Sequence, residues 1–342
     1  MSTTPKDDQG QAFADRPVAI TAEVVLRRQK LQREREAQRL ARPTQYMDPA
    51  PEVTVDTLWR GLSRNGEVRL LVVRAAKTVD EAARRLQCSP DVTQALGELM
   101  VATLLVRSTL NPDDQLQVTL DHQGPVGRVT VDAWREGGMR AYVAHPQEEK
   151  EAFGFLIGAG TLQVSRSAAV GAPGTRNYSS TTTLDGNNVA DYFMNYLLDS
   201  EQILSLLQTD VVVAADGTVQ HAVGYLVQLM PEGKRGDIQT ILGNLGPLPP
   251  LHQAMKASDP DGRAWADQLL HGLGWDQCAR EAVAFQCRCS RHRMLSMLST
   301  LPKRDLHDLA SGNEPLELLC DYCQERYEVR PSELRSFLTE PS

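Results

Sequence analysis

The sequence predicts an α+β protein: an N-terminal mixed α/β domain with antiparallel sheets, a helical middle segment and a small cysteine-rich C-terminal domain. Three observations carry the prediction. Strand-length apolar runs separated by Gly-containing turns occupy residues 52–231. From 232 to 284 the pattern turns helical but is cut at Gly243, Gly246-Pro247, Pro249-Pro250 and Asp259-Pro260-Asp261-Gly262. Within 285–342, four of the six cysteines fall into two close pairs.

Residues 1–51 form a polar extension. Glu23 to Arg42 is rich in helix formers with charges of alternating sign, but Val24, Val25, Leu31 and Leu40 are too sparse for a packing stripe, which predicts an exposed or partly ordered helical arm. Pro43, Pro49 and Pro51 mark a linker into the folded part. The core domain, 52–231, then shows a strand at Glu67–Val73 and helices at Asp80–Leu86 and Pro90–Leu105. Ser89 is the expected N-cap of the second helix, with Pro90 at its first position and Asp91 in its first turn. Strands follow at Leu116–Leu120, Gly127–Val131, Arg140–Val143 and Leu162–Ser165, then a helix over Val189–Leu207. A hairpin of Val211–Ala214 and Val219–Met230, turning at Ala215-Asp216-Gly217, ends the domain. The middle segment, 232–284, reads as short helices that cannot stand alone and need a surface to pack on.

Composition limits the function classes. A chain of 342 residues with 41% hydrophobic and 23% charged residues has enough apolar material for a real core. Its formal charge of -8 argues against a general nucleic-acid binder, which needs a basic face. No run approaches the roughly 18 consecutive apolar residues of a membrane helix. The opening MSTTPKDDQG fits neither a secretory signal nor a transit peptide, so the expectation is a soluble, cytosolic protein.

The chemistry lies in the cysteines. FQCRCSRHR contains Cys287 and Cys289, and after thirty intervening residues LLCDYCQERYEV contains Cys320 and Cys323. Two short-spaced pairs at that separation are a zinc signature: each pair sits in one turn, and four thiolates meet the metal tetrahedrally. The 285–342 segment is therefore expected to be a zinc-binding domain, too small to fold by apolar burial alone. Arg288, Arg291, His292 and Arg293 lie beside the first pair, placed to offset thiolate charge, with His292 expected outside the ligand shell. Thiolates react with peroxide or hypochlorous acid, and a close second cysteine converts the product to a disulfide. Spacing leaves two readings open, a redox switch and an inert zinc ribbon. Cys88 and Cys278, the latter in an expected helical stretch, read as small buried hydrophobes.

Enzyme motifs are missing. Gly158-Ala159-Gly160 is followed by strand-like sequence rather than a helix, Gly171–Thr175 lacks the ending of a phosphate loop, and G-x-S-x-G and H-E-x-x-H are absent. The Cys320-x-x-Cys323 pair does not open a helix after a strand, as a thiol–disulfide oxidoreductase would require.

The terminal CRCS…CDYC site, LGELMVATLLVRSTL, the GPVG turn at Gly124–Gly127, SEQ at Ser200–Gln202 and GYLVQLMPEG at Gly224–Gly233 together resemble the redox-regulated heat-shock chaperone family HslO, the 33 kDa chaperonin. The likeness runs from about Asp56 to Val329. It implies a reduced, nearly inactive form that holds one Zn2+ through Cys287, Cys289, Cys320 and Cys323. Oxidation would join Cys287 to Cys289 and Cys320 to Cys323, release zinc, unfold the tail and loosen the middle segment. It further implies an ATP-independent holdase for unfolded or oxidatively damaged clients that dimerises when oxidised and hands clients to ATP-driven refolding chaperones. The N-terminal extension and Cys278 depart from the family pattern. The competing reading is a zinc-stabilised protein or RNA interaction module without redox switching.

Overall fold

The strand signals resolve into one large sheet whose two halves are joined by a strand from late in the chain. The computed structural model describes residues 55–149, 157–167, 178–231, 233–255 and 259–339, so the predicted arm, the proline linker and Gly171–Thr175 lie outside the described residues. In chain order the first elements are β1 (Asp56–Ser63), β2 (Val68–Arg74), α1 (Ala76–Leu86), α2 (Pro90–Arg107), β3 (Gln115–His122), β4 (Val129–Ala133), β5 (Gly138–Val143), β6 (Gly160–Ser167) and β7 (Tyr178–Thr183). Next come α3 (Val189–Asp199), β8 (Ser205–Val213), β9 (Val219–Leu229), α4 (Arg235–Leu245), α5 (Leu251–Ala254), α6 (Arg263–Leu269) and β10 (Trp275–Phe285). The tail holds α7 (Arg291–Leu298), α8 (Lys303–Ser311), β11 (Leu316–Leu319), β12 (Arg326–Val329) and α9 (Pro331–Thr339).

Ten strands are ordered β7-β6-β3-β4-β5-β10-β1-β2-β9-β8, with β11 and β12 forming a separate hairpin. Every neighbouring pair is antiparallel except β5 and β10, which run parallel over only Gly138–Met139 and Ala284–Phe285. The expected antiparallel character therefore holds pair by pair, while the sheet as a whole is mixed. Gly137 lies at this seam with φ +67, and a Cβ there would stand 1.9 Å from the Ala282 carbonyl oxygen, so only glycine admits the approach.

Helices α1 to α3 cover one face. Ser89 caps α2 as expected, its Oγ accepting from the Val92 N–H at 3.2 Å. Helix α2 is buried around most of its circumference, as an apolar helix inside a core must be, and packs with Phe193 and Tyr196 of α3 against Leu71, Val73, Leu116 and Val131. On the opposite face, β1, β2 and β9 present Trp59, Val68, Leu70, Val72, Tyr225 and Val227. Ile241, Leu245, Leu251, Trp265 and Leu269 of the middle segment seal that face. Tyr225 and Trp265 pack at 4.8 Å between ring centroids, and Trp59 stacks on Trp275 at 5.1 Å. This second cover explains why β2 is buried along almost its whole length instead of alternating. No helix among the described residues is long and apolar enough to cross a membrane.

Two sequence expectations are corrected. The helix begun at Val189 ends at Asp199, and Gln202 turns the chain at φ +56 so that Ser205–Leu207 open β8. A short apolar run of this kind suits a buried strand as well as a helix, and pairing with β9 decides it. The stretch around Cys278 is likewise not helical: it is β10, paired with β1 from Asp56–Val283 to Ser63–Trp275. Cys278 is exposed there, not buried. Cys88 does match its reading, half-buried against the core and with its thiol pushed up to about 12 by that burial.

Candidate metal centre

Strand β10 ends at Phe285, and the Gln286 N–H still bonds the Met139 carbonyl at 2.7 Å. The chain leaves the sheet one residue before Cys287. Cys289 follows, and Ser290 then starts α7 by accepting from the Arg293 N–H at 3.3 Å. The second pair lies in the β11–β12 turn: the Cys320 N–H bonds the Glu325 carbonyl at 3.0 Å and the Gln324 N–H bonds the Cys320 carbonyl at 2.8 Å, with Gln324 at φ +58. That tight turn aims both thiols to one side.

The four cysteines predicted as ligands come together. Their Sγ atoms all lie within 4.8 Å of one another, with Cys287 to Cys320 at 3.7 Å and Cys289 to Cys323 at 3.3 Å. Metal–sulfur bonds of about 2.3 Å in a tetrahedron place sulfurs about 3.8 Å apart, so the cluster has the size a zinc-type ion demands. Cys320 and Cys323 are buried and Cys287 and Cys289 half-buried. Burial pushes the Cys320 and Cys323 thiols up, whereas at Cys287 hydrogen bonds from Cys289, Cys323 and Cys320 outweigh burial and bring it down. The cluster can hold a metal ion.

Sequence reasoning missed the groups that join this cluster to the sheet. Arg140 of β5 donates through Nε to Asp132 of β4 at 2.8 Å and lies 3.8 Å from the centroid of Tyr322, between the second pair of cysteines. Tyr142 of β5 packs on Tyr322 at 6.4 Å, and the Tyr327 hydroxyl lies 3.1 Å from Cys289 Sγ. Only an aromatic residue inside a Cys-x-x-Cys hinted at this contact. The basic residues singled out beside the first pair turn elsewhere: Arg288 stacks on Trp134 at 4.0 Å, Arg291 pairs with Glu333 at 2.7 Å, and Arg293 donates to the Arg288 carbonyl. His292 is exposed and outside the thiol cluster, as expected. The Gly158–Gly160 run leads into β6, as its strand-like continuation foretold.

Comparison with known proteins agrees with this geometry. The Hsp33 protein family matches residues 56–330. A 33 kDa chaperonin of Thermus thermophilus is 32% identical over 299 residues, covering 82% of this chain and 86% of that protein. That of Geobacillus kaustophilus is 31% identical over 290 residues, covering 82% and 96%. The crystal structure of the 33 kDa chaperonin (heat shock protein 33 homolog) from Thermotoga maritima superposes with a TM-score of 0.74 at 25% identity, covering 83% of this chain and 97% of that one.

Proposed function

Because this chain belongs to the Hsp33 protein family, and because its four thiols converge at metal-binding distances, we propose that it is a redox-regulated, ATP-independent holdase, a chaperone and not an enzyme. The observation that carries this reading is the convergence of Cys287, Cys289, Cys320 and Cys323 on one point. The metal is Zn2+, which suits an all-thiolate tetrahedron. Bound there, it crosslinks the end of β10 to the β11–β12 turn.

The tail, residues 285–342, has little else to hold it. Its own core is Leu298, Leu306, Ala310, Val329 and Leu334 with a few half-buried neighbours, well below what a free-standing domain of this size requires. Oxidation by peroxide takes two electrons from each thiol pair, forms one S–S bond per pair and yields two waters per peroxide. Pairing Cys287 with Cys289 and Cys320 with Cys323 follows the family likeness. The 3.7 and 3.3 Å approaches run across the pairs, so peptide mapping of the oxidised protein distinguishes the two arrangements.

Helices α4 to α6, within the 232–284 segment, are the cover expected to loosen next. Each is short, and each is held by one apolar face against β1, β2 and β9. Their departure bares Trp59, Leu70, Val72 and Tyr225, a continuous apolar sheet surface suited to unfolding clients. Dimerisation of the oxidised form, transfer of clients to ATP-driven refolding chaperones and a cytosolic setting complete the proposal. Nucleic acid is not a partner in this scheme.

The test dilutes a chemically unfolded client into the reduced, zinc-loaded protein or into the same protein after peroxide at elevated temperature, with released zinc counted. Suppression of light scattering only after zinc release supports the switch. Equal failure of both forms overturns it and leaves a structural zinc module.

A further inference from the structure

Beside the thiol cluster lies a cleft of about 500 Å³, walled by strands of the sheet on one side and by the first turn of the tail on the other. Four arginines line it, Arg140, Arg166, Arg288 and Arg293, against one carboxylate, Asp132. Two of these cations are already matched. Arg140 is bonded to Asp132, and Arg166 pairs with Glu201. Arg288 and Arg293 have no carboxylate in ion-pair contact among the described residues; Arg140 and Arg293 repel Arg288, while Asp132 attracts it from a distance. The lining thus sets four guanidiniums against one carboxylate, with Arg288 and Arg293, exposed at the rim, outside any ion pair. Its floor adds hydroxyls from Ser165, Ser167 and Ser179, and the buried Nε of Arg166 lacks a partner.

Offsetting thiolate charge through space is one role for Arg288 and Arg293, but both also line the cleft. Arg288 lies over Trp134 and Arg293 donates to the Arg288 carbonyl. Guanidinium groups converging on a polar cup match the oxygens of phosphate groups, which accept paired N–H donors. Two guanidiniums outside ion pairs and room for more than a single phosphate favour a ligand with at least two adjoining anionic groups.

We propose that the cleft between Arg166 of β6 and Arg288 and Arg293 of the tail binds a compact oligophosphate, either free or as the phosphate tail of a nucleotide. Because the site takes walls from both the sheet and the tail, the ligand binds only while the tail is docked and holds it there. Binding to the reduced protein stands apart from the redox reading. If switching fails but phosphate binds, only the holdase scheme falls.

The experiment titrates inorganic pyrophosphate, then ADP, into the full-length, reduced, zinc-loaded protein in a calorimeter, with sulfate as control. One saturable equivalent of pyrophosphate is expected, weakened at least about tenfold by R288Q/R293Q together, about 1.4 kcal/mol, and by R166Q alone. Tighter binding of ADP than pyrophosphate assigns the nucleotide form, and equal binding assigns the phosphates alone. Zinc content is measured on each variant. If R288Q/R293Q loses zinc, R166Q, which lies outside the tail, decides. Pyrophosphate that binds no better than sulfate, or that binds the R166Q protein as well as the unaltered one, overturns the proposal.

Discussion

Arg140 lies 3.8 Å from the ring centroid of Tyr322, so a cation on the central sheet is stacked on the residue between Cys320 and Cys323. The same guanidinium is anchored by Asp132, which makes it a joint between the core and the second cysteine pair. A partly buried cation–π contact contributes about 1–2 kcal/mol. R140A is expected to undock the tail and raise the rate of peroxide-driven zinc release on the order of fivefold, followed with a chromophoric chelator. An unchanged rate would show that the joint does not govern release.

Replacing Cys320 and Cys323 together by serine removes half the ligand set. Structural zinc contributes about 10–16 kcal/mol of apparent folding free energy, more than the small apolar cluster of the tail can replace. C320S/C323S is expected to bind no zinc and to leave the tail open to protease even in reductant. A fully zinc-loaded double variant would sink the ligand assignment.

Trp265 is 3% exposed and fixes α6 against Tyr225 of the sheet. W265A should cost about 3–5 kcal/mol locally, enough to loosen the middle segment without touching a cysteine. The reduced, zinc-loaded variant is then expected to bind a hydrophobic dye and to suppress client aggregation partially. If it stays silent in both assays, the sheet face under α6 is not the client surface.

Acid should act on the same cover. His221 of β9 packs 5.8 Å from His252 of α5, which is bonded to Asp210 of β8. Burial first, then the charge of His252, holds His221 below the usual histidine range, while Asp210 opposes. The unfolded chain therefore takes up its proton near pH 6.5 and the folded chain only at lower pH. The contribution is complete above about 6.5 and is lost as pH falls below it. The urea midpoint of the reduced protein should drop between about pH 7.5 and about pH 5.5, and H221N should flatten that slope. An identical slope in the variant would move the effect to another group.

The four-cysteine cluster is legible because its signal is local: two pairs of cysteines at short spacing need no knowledge of the fold. The Ser89 cap and the β8–β9 turn were legible for the same reason. Strand β10 was not, since its sequence is flanked by short helices and its partners, β1 and β5, are remote in the chain. Strands β1 and β7 were missed as well. The end of helix α3 is hidden in the sequence because Ile203 to Leu207 reads as apolar in either period, and only pairing with β9 assigns Ser205–Leu207 to a strand. Arg140, Asp132 and Tyr322 carry no sequence mark as a unit. Their meeting depends on the seam between β5 and β10.

That seam also has a consequence for biosynthesis. Strand β10 lies in the middle of the sheet yet is the last of its ten strands to leave the ribosome, pairing Val283 with Asp56 of β1. Until it arrives, β1 and β5 are unsatisfied edges on two separate half-sheets, the kind of surface that recruits neighbouring chains. The nascent protein thus passes through an interval in which it is itself a client, closed only when the segment leading to Cys287 has emerged.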